Sequence, residues 1–146
     1  MHLSQHFSLA EATRSDTARE LRIDNSPTVP QHRLNLYYTA EQMERVRRVL
    51  GNRPIVVSSW YRNPTVNRAV GGVSNSSHAL GLAVDFTCRG LSVLDTCRAI
   101  VASNIHFDQL IYEYHRWVHI GFSRTSPRRQ VLTKLSGEGY RFGLPG

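Results

Sequence analysis

Lysine is almost absent from this chain: of 18 basic residues, all are arginine except Lys134. Cysteine is scarce too, with only Cys88 and Cys97. Two cysteines flanking the expected start of a helix do not make a dense disulfide framework, so both are read as free buried thiols. No apolar run approaches the ~20 residues that cross a bilayer, which excludes a spanning helix. The segment from His2 to Ser8 is polar and mixed. It does not read as a basic-then-apolar signal peptide, so the expectation is synthesis in the cytoplasm and release by a helper for any role outside. There are no internal repeats and no low-complexity linker, hence no sign of a second binding module. No zinc knuckle, helix-turn-helix or other nucleic-acid motif supports a specific nucleic-acid partner.

What is present is a 146-residue chain with a formal charge of +7. The expectation is one domain over residues 1–146, monomeric by default and able to bury about 70% of its unfolded surface. Basic stretches such as Arg124 to Lys134 suit a weak, general attraction to a negatively charged envelope.

Ser8-Leu9-Ala10-Glu11 reads as a capping box with Phe7 as a hydrophobic staple, opening a short helix. A second helix is expected near Thr17 to Leu21, and Asn25 to Pro30 is turn-rich. Thr39-Ala40-Glu41-Gln42 looks like another capped start, with Met43, Val46, Val49 and Leu50 at helical spacing and Gly51 as C-cap. Ile55 to Ser58 reads as a strand and Pro64 to Val70 as a short helix. Gly71 to Ser77 reads as a loop able to lie over a cleft. Ser92 caps a helix to about Ser103, with Val93, Cys97, Ile100 and Val101 inward. Strands are expected at Gln109 to Glu113 and Trp117 to Phe122, joined as a hairpin. The tail after Ser123 gives no clear pattern. Together these predict an α+β fold, a small central antiparallel sheet with helices packed around it.

Two segments carry the chemistry. Ser76-Ser77-His78-Ala79-Leu80-Gly81-Leu82-Ala83-Val84-Asp85 and Glu113-Tyr114-His115-Arg116-Trp117-Val118-His119 supply His, Asp and His. That is a three-ligand set for a catalytic zinc that leaves the fourth position to water. His78 is expected on a loop, followed by a strand from Leu82 to Phe86. Strand alternation then puts Ala83 and Asp85 on one face and Leu82, Val84 and Phe86 on the other. Trp117, His119 and Gly121 share a face in the same way, which brings His119 beside Asp85 if their strands are neighbours. Glu113, at the end of the preceding strand, is the candidate general base.

At these residues the chain resembles the zinc D-alanyl-D-alanine peptidases, a family of bacterial carboxypeptidases and phage endolysins whose fold is shared by the hedgehog signalling domain. The pattern Ser-x-His-x-x-Gly-x-Ala-x-Asp is met by Ser76, His78, Gly81, Ala83 and Asp85, and Glu-x-x-x-aromatic-x-His by Glu113, Trp117 and His119. Ser59-Trp60-Tyr61-Arg62 is similar to the family's Ser-x-Tyr-Arg segment. Phe7 to Glu11 and Ile23 to Pro27 resemble the phage-type branch. Several family carboxypeptidases carry the acid three residues before the last histidine, where this chain has Arg116. Glu113 stands six before it, as in the phage and hedgehog-like branches.

The resemblance implies one Zn2+ held by His78, Asp85 and His119, with Glu113 as base. It implies Arg62 as catalytic and substrate-binding clamp toward a carboxylate or a developing oxyanion. Ser76 and Trp117 complete the expected substrate set, with Ser76 bonding substrate or bracing the His78 loop and Trp117 packing beside the metal. Tyr61 and Asn63 are rim contacts, and His115 is an exposed loop residue. The implied activity is hydrolysis of an amide bond in peptidoglycan stem peptides or crosslinks, as by a phage endolysin acting on the wall after release. Two alternatives stay open: a D,D-carboxypeptidase or dipeptidase that trims the wall, and a zinc-stabilised binding or structural module without turnover.

Overall fold

A computed structural model describes residues 1–73 and 76–146. The loop expected over Gly71 to Ser77 falls partly outside the described residues, at Ser74 and Asn75. The chain forms two compact units, residues 1–44 with 59–83, and residues 45–58 with 84–146.

The first unit is helical. Helix α1 (Leu9–Thr13) opens on the expected capping box: the Ser8 hydroxyl accepts from the Glu11 amide, and the Glu11 carboxylate accepts from the Ser8 amide, both at 3.1 Å. Phe7 is buried, its ring edge-on to Trp60 with centroids 6.2 Å apart. Helix α2 (Asp16–Leu21) is capped by Ser15. Helix α3 (Pro30–Val49) starts well before the expected cap at Thr39. Pro30 suits a first helical turn, where its missing N–H costs nothing, and Leu36, Ala40 and Met43 continue one buried stripe. Thr39 is therefore mid-helix, and its hydroxyl donates to the Gly81 carbonyl at 2.8 Å instead of capping. Helix α4 (Pro64–Ala69) is capped by Asn63, whose side-chain oxygen accepts from the Val66 amide. Helix α5 (Ser77–Leu80) corrects the loop expected at His78.

The second unit holds nearly all of one six-stranded sheet in the order β1-β2-β4-β3-β5-β6. Its strands are β1 (Ile55–Ser59), β2 (Ala83–Cys88), β3 (Gln109–Glu113), β4 (Trp117–Gly121), β5 (Gln130–Lys134) and β6 (Arg141–Phe142), with helix α6 (Val93–Val101) between β2 and β3. The expected hairpin is present: β3 and β4 are antiparallel, with Glu113 opposite Trp117 and Leu110 opposite Ile120. The architecture is α+β as expected, but the sheet is not wholly antiparallel, since β5 runs parallel to β3 and places Lys134 level with Glu113.

Strands β5 and β6 come from the tail that the sequence pattern left unread. Their entry is fastened by Arg129, whose guanidinium donates to the carbonyls of Ile105 and Ser103 at 3.0 and 2.9 Å and lies over the Phe107 ring. Next to it Arg128 makes a two-pronged pair with Asp108, both distances 2.9 Å. Helix α6 packs on β3 and β4. It buries Thr96, Cys97 and Ile100, while Val93 and Val101 are only half-buried. Cys88 and Cys97 are free buried thiols. Burial pushes the Cys97 thiol up to about 12.

Candidate active site

Within the first unit, His78 sits in α5 because Ser76 and Gly81 bracket a single turn. The Ser76 hydroxyl accepts from the His78 amide at 3.2 Å. Gly81 ends the turn with φ 79°, the left-handed region glycine tolerates. A side chain there would also come within 3.0 Å of Leu36. The Gly81 carbonyl is held twice, by Thr39 and by the indole nitrogen of Trp60.

The buried His78 ring is fixed by its Nδ1, 2.6 Å from the Trp60 carbonyl. An imidazole nitrogen beside a carbonyl donates to it, which leaves Nε2 as the acceptor. Trp60 as the orienting partner was missed, because a backbone carbonyl leaves no mark in a sequence. Arg62 donates through its backbone to the His78 carbonyl at 3.1 Å and through Nη2 to the Ser76 hydroxyl at 3.2 Å. Ser76 thus braces both the helix turn and the arginine. Tyr61 and Asn63, expected on a rim, are buried instead. The Tyr61 hydroxyl lies 2.8 Å from His32 Nδ1, and Asn63 is committed to capping α4 and to the Asp24 carbonyl.

Within the second unit, β2 and β4 are neighbours, and His119 Nδ1 lies 2.9 Å from Asp85 Oδ1. On β2 the expected alternation holds for Val84 and Phe86, which are buried while Asp85 is half-buried, but Leu82 precedes the strand and is only half-buried, and Ala83 is buried as well. His119 Nε2 lies toward Gly121, which contributes no side chain, so Nδ1 is the nitrogen directed at Asp85. Glu113 Oε1 is 3.9 Å from the same Nδ1. Glu113 Oε2 accepts from the Trp117 indole nitrogen at 3.1 Å. Trp117 therefore orients the carboxylate, a more definite task than packing. The hairpin turn carries two non-glycine residues in the left-handed region, Tyr114 (φ 57°) and His115 (φ 60°). Exposed His115 is held there by the Tyr112 hydroxyl at 2.7 Å.

The second unit alone gathers two carboxylates and an imidazole, an arrangement able to hold a cation and move a proton. His78, Asp85 and His119 each offer one ligand atom, a ring nitrogen or a carboxylate oxygen. The donor chemistry fits a zinc ion. Zn–N and Zn–O bonds are about 2.0–2.2 Å, which sets tetrahedral neighbours roughly 3.4 Å apart, so Asp85 and His119 need shift only slightly from 2.9 Å. A histidine ligand also characteristically gives its other nitrogen to a carbonyl, as His78 does to Trp60.

Comparison with known proteins agrees with this reading. Over 53 residues the chain is 40% identical to the "Zinc D-Ala-D-Ala carboxypeptidase" of Streptomyces albus G, a stretch that covers 36% of this chain and 21% of that protein. The chain thus matches about a fifth of that relative's length. The family model described as Peptidase M15 matches residues 5–121, which include every residue of the candidate site. With most of its length inside that match, the chain belongs to the peptidase M15 family.

Proposed function

We propose that this chain is a zinc-dependent peptidase that hydrolyses an amide bond in the stem peptide or crosslink of peptidoglycan. The observation that carries the reading is the grouping of Asp85, His119 and Glu113, with Glu113 fastened by Trp117. His78, Asp85 and His119 are assigned as the zinc ligands, His78 through Nε2. Zinc, when bound, lowers the pKa of a water to roughly 7 and polarises a carbonyl. Glu113 takes a proton from the attacking water and gives it to the nitrogen of the leaving amine. Trp117 keeps the other carboxylate oxygen occupied, so the proton travels on Oε1. Arg62, steadied by Ser76, is assigned to a substrate carboxylate, which a guanidinium fork matches in shape and charge.

Peptidoglycan is favoured as substrate by the family and by the likeness to the D-Ala-D-Ala carboxypeptidase of Streptomyces albus G. The charge of +7 favours contact with an anionic envelope. The likeness of the amino-terminal segment to phage-type members favours release onto the wall as a lysis enzyme. A second reading, trimming of terminal D-alanine, is favoured by that relative's being a carboxypeptidase. Digestion of purified peptidoglycan by the zinc-loaded protein, with products identified by mass spectrometry, separates the readings. Resolved crosslinked dimers mean endopeptidase action, and free D-alanine or a dipeptide means trimming. No new amine and carboxyl ends would overturn the enzymatic reading in favour of a zinc-stabilised module without turnover.

A further inference from the structure

Glu113 is the inner end of a run of aromatic and basic side chains in the second unit. Trp117, which donates to Glu113, lies against Tyr114 with ring centroids 5.4 Å apart. The Lys134 ammonium is 6.0 Å from the centre of the Tyr114 ring and 5.8 Å from that of Tyr140. Lys134 stands level with Glu113 on the parallel neighbour strand, and its ammonium donates to the carbonyls of Leu135 and Glu138. The only lysine of the chain is thereby fixed between two tyrosine rings. Tyr140 remains 61% exposed, and Phe142 beyond it 86%. The exposed Tyr140 ring, set against Lys134 level with Glu113, offers an open aromatic face to a ligand. Lys134 and Tyr140 lie outside residues 5–121, so the family match assigns them nothing.

We propose that Tyr114, Lys134 and Tyr140 form a substrate subsite that holds the leaving-group side of the peptide, the part that carries the new amine. The inference rests on the peptidase reading above. An acid that protonates the leaving nitrogen must be within hydrogen-bond reach of it. The peptide beyond that nitrogen then passes the groups flanking Glu113. Tyrosine faces cover the aliphatic part of such a segment. The tyrosine hydroxyls and the lysine ammonium donate to its carbonyls or to a carboxylate. Tyrosine hydroxyls are protonated, and so able to donate, near neutral pH, and partial burial with the charge of Glu113 shifts that of Tyr140 further in the same direction.

The test compares zinc-loaded wild type, Tyr140→Ala and Tyr140→Phe on a purified crosslinked muropeptide dimer. Tyr140→Ala is expected to raise KM at least fivefold with kcat within twofold, and Tyr140→Phe to raise it by less. An unchanged KM in Tyr140→Ala overturns the subsite, as does a fall in kcat alone, which would mean that Tyr140 acts through Glu113. The same dimer is titrated against zinc-loaded Glu113→Gln with and without Tyr140→Ala. A fivefold weaker Kd in the double variant supports the subsite, and equal affinities overturn it. Failure of wild type to cleave any muropeptide overturns the peptidase reading instead, which keeps the two outcomes apart. The exposure of Tyr140 lets Tyr140→Ala fold, and a thermal melt matching wild type verifies this.

Discussion

The indole nitrogen of Trp117 donates to Glu113 Oε2 at 3.1 Å, across the last residue pair of the β3–β4 hairpin. A cross-strand pair next to a three-residue turn has little freedom, so the hydrogen bond selects one carboxylate orientation. The other oxygen, Oε1, is the one that lies 3.9 Å from His119.

Trp117→Phe removes that donor and keeps a ring against Tyr114. A hydrogen bond to a charged group is worth about 1.5 kcal/mol or more, which corresponds to roughly a tenfold fall in rate. The expected result is kcat down about tenfold with zinc content unchanged, measured by steady-state kinetics and metal analysis. Loss of zinc together with activity would show that Trp117 serves the ligands rather than the base.

Glu44 is a buried carboxylate far from the proposed chemistry in sequence. Burial works against its ionisation, but the Ser4 hydroxyl at 2.6 Å and the His6 ring and amide, both at 2.7 Å, outweigh that and lower its pKa below the ordinary 4.5. Because the folded value is depressed, Glu44 contributes stability that is complete above pH 4.5 and is lost as the pH falls through the folded value. Glu44→Ala leaves these donors without an acceptor and is expected to cost about 2–3 kcal/mol at pH 7, and less at pH 3. Urea unfolding at the two pH values measures the difference.

The two thiols should be silent in the native protein. Burial holds Cys97 near 12 and raises Cys88, where the charge of Arg53 opposes the shift. Thiolate is the reactive form, so labelling at pH 8 is expected to be negligible until denaturant is added, and then to modify both cysteines. Fast labelling of either thiol without denaturant would contradict the buried placement.

Much of this architecture was legible in the sequence where local pattern and tertiary need agree. The Ser8 capping box, the Ser92 cap and the β3–β4 hairpin each carry a short-range signal. The alternation around Asp85 and His119 was enough to place both residues toward one another. Thr39 misled because Ser and Thr favour caps in isolation, whereas here its hydroxyl serves a distant carbonyl and Pro30 opens the helix. The four residues of α5 make too short a helix for any periodicity to show. The tail was unreadable because β5 is set by pairing with β3 and by the Arg129 contacts, and β6 has only two residues, both exposed. The same blindness hid Lys134 and Tyr140, whose approach to Glu113 depends on the β3–β5 register.

The proposed mechanism divides the labour, with Glu113 moving the proton and His78, Asp85 and His119 holding the metal. The most direct measurement is zinc content and muropeptide cleavage, side by side, for wild type, Glu113→Gln and His119→Ala. The expected result is one zinc per chain in wild type and in Glu113→Gln, cleavage at least 100-fold slower in Glu113→Gln than in wild type, and neither zinc nor cleavage in His119→Ala. Cleavage by Glu113→Gln at the wild-type rate, or full zinc retention by His119→Ala, would contradict it.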